Sequence, residues 1–173
     1  MSVKLVLFFL LLLVLKISSK YEFTNIKCTS LDETFVGFEY CYLKSVNRSY
    51  KYLSVKANLL KTPVTKVSFI VFKKHNGYRP FMFNITIDGC RFMGGATTHS
   101  LANYLYGFIR PYTNINHRCP YDHDIMVEKL DTDFMNYQVT KILPVPEGDY
   151  YIESRWNSYD VVREVIKVYG TIS

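Results

Sequence analysis

Alternation with a period of two runs through most of this chain, and it leaves little room for anything but β-structure. In "PFMFNITIDGC", residues 80–90, Phe81, Phe83, Ile85 and Ile87 fall on one side, and Met82, Asn84, Thr86 and Asp88 on the other. Successive side chains of a strand point to opposite faces, so this is a strand with one greasy face. "KYLSVKANLL" sets Leu53, Val55, Ala57 and Leu59 against Tyr52, Ser54, Lys56 and Asn58, and "TKVSFIVFKK" offers Val67, Phe69 and Val71. "FTNIKCTSL", "FVGFEYCYLKSV", "HDIMVEKLD", "DYYIESRWNSY" and "VVREVIKVYGTI" read the same way, separated by the turn signals "VNRS", "KTP", "HNGYRP" and "PVPEGD". Short strands punctuated like this predict an all-β fold, an antiparallel sandwich or barrel. One segment breaks the pattern. In "SLANYLYGFIRPY", Leu101, Tyr104, Leu105, Phe108 and Ile109 follow helical spacing, with Thr98 or Ser100 as the cap and Pro111 as the stop.

The first 19 residues carry an address. Lys4 precedes an unbroken apolar run from Leu5 to Leu15, and small residues Ser18 and Ser19 come before the polar chain resumes. Such a run fits the core of a secretory signal and falls short of the ~20 residues that span a bilayer. We therefore expect residues 1–19 to be a signal peptide and residues 20–173 a single extracellular domain with no transmembrane segment. Removing Lys4 and Lys16 takes the formal charge from +6 to +4. No block of five like charges occurs, so nucleic acid is not an expected partner.

Four cysteines remain: Cys28, Cys41, Cys90 and Cys119. In an oxidising compartment an even count reads as two disulfides, with three possible pairings. If the runs on either side of "DET" form a hairpin, Cys28 and Cys41 lie nearly opposite each other. Cys90 ends one strand and Cys119 precedes the next, so that pairing would close a loop of roughly 28 residues, for about 3–4 kcal/mol. There is no C-x-x-C pair to favour zinc.

Asn84-Ile85-Thr86 and Asn47-Arg48-Ser49 are N-glycosylation acceptors. Period two places Asn84 opposite the greasy face, and Asn47 falls in a turn, so both are expected to be exposed and glycosylated.

Chemistry is sparse. His117, His123 and the flanking Asp122 and Asp124 form the one grouping with metal-ligand residue types, and we read them as turn and surface residues. Nothing matches H-E-x-x-H, G-x-S-x-G or a phosphate loop, so neither an enzyme nor a cofactor or metal is expected. Aromatic content is less ordinary: 15 Tyr, 12 Phe and 1 Trp make up 16% of the chain. Such bulk either fills a core or lines a cavity.

The order of "NGYRPFMFNITIDGCRFM", "PYTNINHRCPYDHDIMV", "LPVPEGDYYIESRW" and "VVREVIKVYG" resembles a family of secreted insect proteins without assigned function. That family is similar to the CheB-like chemosensory proteins and sits with the ML-type lipid-recognition domains, alongside the ganglioside activator protein. The resemblance implies an immunoglobulin-like β-sandwich that opens between its sheets, and a secreted carrier of a lipid or pheromone-like hydrocarbon, active in chemosensation. In one respect the chain departs from ML-type domains. They tie an N-terminal strand to a C-terminal one by a disulfide, and no cysteine follows Cys119 here. The gap between sheets is thus held differently, or filled.

Two functions follow from this: a binder of an apolar small molecule, or a secreted interaction module with a filled core and a protein partner such as a receptor. For the binder, the segment between Cys90 and Cys119 is the expected lid, with "GGATT" as its hinge and Leu101, Tyr104, Leu105 and Phe108 as its inner face. Phe69, Phe81, Phe83, Ile85 and Trp156 are the expected lining beneath.

Overall fold

The computed structural model describes residues 19–173 except 49, 62, 63, 97, 98 and 143. Residues 1–18 of the expected signal peptide, and the Thr98 cap, lie outside the described residues. No described helix is long and apolar enough to cross a membrane.

The described chain is a sandwich of two antiparallel sheets. Its strands are β1 (Tyr21–Ser30), β2 (Val36–Ser45), β3 (Lys51–Leu59), β4 (Lys66–His75), β5 (Gly77–Asp88), β6 (Ile125–Asp131), β7 (Gly148–Ser158) and β8 (Val161–Ile172). Five strands form one sheet in the order β1-β8-β7-β4-β5, and three form the other in the order β2-β3-β6. Helices α1 (Gly89–Met93), α2 (Ser100–Ile109) and α3 (Thr132–Tyr137) complete the fold, with a 3-10 turn at Arg110–Tyr112 and a π-helical turn at Gln138–Ile142.

Two expectations need correcting. The first is the hairpin proposed across "DET". β1 pairs with β8 and β2 with β3, so the two strands lie in different sheets. The Cys28–Cys41 bond does form, with Cα atoms 6.2 Å apart, but it staples one sheet to the other. The second is the single helix. Two further short helices are present, one of them in residues 132–142, where no sequence period marks an element. Asp131 caps α3 there, its Oδ1 accepting from the Phe134 amide at 2.7 Å, and Met135 and Val139 are buried in the main core. α2 itself is capped by His99, whose Nδ1 accepts from the Ala102 amide at 3.2 Å, rather than by Ser100.

A three-stranded sheet cannot cover a five-stranded one, and the helices make up the difference. After α2 and its 3-10 turn, Thr113 bridges to Val127 on the free edge of β6, which sets α2 beyond that edge. Leu105 and Phe108 of α2 join Phe23, Leu53, Val55, Val71 and Leu130 in one buried cluster drawn from both sheets. The Cys90–Cys119 disulfide closes the segment that contains α2. Within it, Gly94 and Gly95 stop α1. Gly95 has φ +74°, a conformation that glycine adopts without the steric cost other residues pay.

The first and last strands lie side by side. β1 runs along β8 from Tyr21 opposite Ile172 to Ser30 opposite Glu164, and the Lys20 and Ser173 backbones exchange hydrogen bonds beyond them. This contact ties the ends without a bridging cysteine. It is close enough that the Tyr21 ring lies over Gly170, where an added Cβ would overlap it. Tyr21 is buried and boxed in by Phe23, so it cannot move aside freely. Gly170→Ala is therefore expected to cost about 1–3 kcal/mol by overpacking, read from denaturant midpoints. An unchanged midpoint would mean that the ring does not rest there.

Candidate functional site: an apolar interior beneath helix α2

The interior between the sheets is not filled solid. Three apolar lobes follow one another along the sandwich. The outer lobe, about 70 Å³, is walled by Ile87, Phe92, Met93, Tyr106, Cys119 and Tyr121. The middle lobe, about 130 Å³, lies between Val55 and Leu130 of the smaller sheet and Phe23, Ile152 and Ile166 of the larger one. The far lobe, about 70 Å³, reaches Tyr21, Val139, Tyr150 and Ile172. Adjacent lobes share walls: Phe69, Ile109 and Trp156 between the outer and middle, and Leu105, Phe108, Met135 and Val168 between the middle and far. A cavity of about 150 Å³ lined by such side chains stays dry and admits a small apolar molecule. No single lobe reaches the ~300 Å³ at the low end of sites for drug-sized ligands; the three together approach it.

The strand registers explain the lining. Across the larger sheet Val67 lies opposite Trp156 and Ile87, and Phe69 opposite Ser154 and Ile85, so these positions share its inner face. On β8 the inner positions are Glu164, Ile166, Val168 and Gly170, paired with Trp156, Ser154, Ile152 and Tyr150.

The expected lining residues divide accordingly. Phe69 and Trp156 wall the outer and middle lobes, and Phe83 walls the far one. Phe81 and Ile85, on edge strand β5, pack against the core cluster without lining a lobe. Among the expected lid residues, Leu105 and Phe108 face the middle and far lobes and Tyr104 the far one, while Leu101 only packs against the core. Tyr104 also donates from its hydroxyl to the Gln138 carbonyl at 3.1 Å, latching α2 to the π-helical turn. Burial pushes that hydroxyl up to about 12, so it stays a donor.

Sequence reasoning missed one residue altogether. Glu164 is 3% exposed, lines the middle lobe, and has its Oε2 buried without a hydrogen-bond partner. Burial alone raises its carboxyl to about 7. A second buried glutamate makes the contrast. Glu153 points from β7 to the other face of the same sheet, where Arg155 Nε lies at 2.6 Å and Lys167 Nζ at 3.1 Å. Burial opposes its ionisation too, yet those two hydrogen-bonded cations outweigh it and hold the carboxyl below the ordinary range. The period-two pattern of "VVREVIKVYG" was a usable signal, since it puts Glu164 in line with Ile166 and Val168.

The histidines gather at the outer end. His117 and His123 meet Nε2 to Nε2 at 2.8 Å, their Nδ1 atoms 2.6 and 2.8 Å from the Arg118 and Asp124 carbonyls. Tyr121 packs against both rings. Among the described residues no group of three or more His, Cys, Asp or Glu side chains is placed to hold a metal ion.

Both acceptor asparagines lie at the surface. Asn84 is exposed on β5, and Asn47 is exposed in the turn after β2, where its Oδ1 accepts from the Tyr50 amide at 2.7 Å; Ser49 lies outside the described residues.

This is an all-β, disulfide-tied sandwich with an apolar interior. Residues 67–152 match the model of a family described as a protein of unknown function, DUF1091. The matched stretch runs from β4 into β7 and includes α2, the Cys90–Cys119 bond and most of the lobe walls, but neither Trp156 nor Glu164. No curated protein matches the chain.

Proposed function

We propose that this protein is a secreted binder of a hydrophobic small molecule, held between its sheets and admitted past helix α2. The observation that carries the reading is the row of three wall-sharing apolar lobes roofed by one amphipathic helix. That helix sits in a disulfide-closed segment, and the Tyr104 hydroxyl latches it to the π-helical turn across the far lobe. The likeness to CheB-like chemosensory and ML-type lipid-recognition proteins, carried by the motifs quoted above, points the same way. Extracellular residence is supported by the apolar N-terminal run and by two disulfides, which persist in oxidising compartments. Glycans at Asn47 and Asn84 belong to the same reading.

Two measurements test it. Native mass spectrometry of the deglycosylated protein, taken from its own secretion, should show the chain with a co-purified apolar molecule. The neutral fluorescent probe N-phenyl-1-naphthylamine should bind the purified protein with a blue-shifted, enhanced emission. Tyr104→Phe removes the latch to Gln138 while keeping the ring, and is expected to speed probe release several-fold with the fold intact. Wild-type protein that carries no molecule and takes up no probe would leave the alternative, an interaction module whose ligand is another protein.

A further inference from the structure

Among the described residues lining the three lobes, Glu164 is the only charged side chain. A cavity meant for pure hydrocarbon has no use for it, because a buried acceptor without a partner is a standing cost and such groups are rare in folded proteins. Water is a poor partner here. A buried water needs two to four polar contacts. Among the described residues lining the middle lobe, the only other polar side chains are Ser154 and Trp156, which bond each other, Trp156 Nε1 donating to Ser154 Oγ at 3.1 Å. Only the Ser154 hydroxyl hydrogen is left to offer. The neighbours of Glu164 along the sheet offer nothing either. Ser30, opposite it on β1, donates to the Val36 carbonyl at 2.7 Å, and Trp156, opposite it on β7, is committed to Ser154.

We propose that Glu164 is the head-group site of the cavity, and that the ligand is an apolar chain ending in a single hydrogen-bond donor, a hydroxyl or an amine. The inference rests on the carrier reading and narrows it. The donor reaches Oε2, and the chain lies along the inner face of β8 past Ile166 and Val168 toward Gly170. From Glu164 to Val168 the strand advances roughly 13 Å, the reach of a medium-length alkyl chain. Where Glu164 is ionised, a carboxylate head would set anion against anion, and a plain alkane would leave Oε2 unpaired.

The test uses octane, octan-1-ol and octylamine as displacers of N-phenyl-1-naphthylamine from wild-type protein, Glu164→Leu and Glu164→Gln. Comparing each probe across variants cancels the different costs of removing the probes from water. Glu164→Leu should weaken octan-1-ol and octylamine about tenfold or more relative to octane. Glu164→Gln keeps an acceptor in place and should retain octan-1-ol binding within a few-fold. If Glu164→Leu alters all three probes by one factor, or if Glu164→Gln loses octan-1-ol as fully as leucine does, the head-group assignment is wrong and the carrier reading stands. If not even octane binds wild-type protein, both fall together.

Discussion

Glu164→Gln should make the folded protein more stable at pH 8 than the wild type by about 3 kcal/mol, and should change it little at pH 4.5. The sign follows from which state holds the proton. In the unfolded chain the carboxyl ionises at its ordinary value of 4.5, whereas in the folded protein burial lifts it to about 7. Between those values the folded state binds more protons, so wild-type stability falls as pH rises from about 4.5 to 7 and then levels off. The amide carries no charge and escapes that fall. Among the described residues, the other side chains lining the lobe, from both sheets and α2, include no charged or titratable group that would offset the effect. Glu153, held low by its two cations, acts in the opposite sense and at lower pH. Taking the difference between the two proteins isolates position 164. Denaturant unfolding at a series of pH values would measure it, and curves that stay parallel from pH 4.5 to 8 would show that Glu164 is not buried uncompensated. A saturating hydroxyl- or amine-bearing ligand should shrink the gap at pH 8 by stabilising the wild type.

The second large effect belongs to the outer disulfide. The Cys90→Ser, Cys119→Ser double variant frees a segment spanning a sequence separation of 29, for an expected loss of about 3–4 kcal/mol. In a domain of this size that lowers the thermal midpoint by roughly 10 °C. The damage should also be local. The segment holds α2, and Cys119 itself walls the outer lobe, so amide exchange in α2 should accelerate before that of β7 and β8, which are hydrogen-bonded on both sides. Uniform acceleration across both would indicate that the bond acts only on the unfolded chain. Breaking Cys28–Cys41, with a separation of 13, should cost about 3 kcal/mol without loosening α2.

Much of this architecture was legible in the residues because half-buried strands advertise themselves. The alternation through Phe81–Asp88 gave both the strand and the outward face of Asn84, and the helical spacing of Leu101, Leu105 and Phe108 gave α2 and its inner face. What escaped was non-local. Nothing in "FTNIKCTSL" distinguishes a strand that turns back on β2 from one that crosses to β8 some 140 residues later, so the right cysteine pair was reached through the wrong geometry. Residues 132–142 mix a short α-helix with a π-helical turn, which scatters Met135 and Val139 off any one period; only the cap from Asp131 to Phe134 marks them. Glu164 was passed over because an acidic residue in an amphipathic strand is by default assigned to water. Charge argued for the outside and periodicity for the inside, and here periodicity prevailed.

The adjacency of β1 and β8 also sets an order in time. During synthesis β1 emerges first and has no neighbour in its own sheet until residues near 172 have been made. Until then its apolar positions, Tyr21, Phe23 and Ile26, lack the strand they lie beside in the finished sheet. Contacts that join such distant parts of a chain form slowly, because the entropy of closing the loop is lost before the contact returns anything. This molecule therefore depends on its earliest strand being kept from the wrong partners until the latest one arrives. Removing even the final strand would leave two long ladders of backbone amides open, on β1 and on β7, each a template for pairing with another copy.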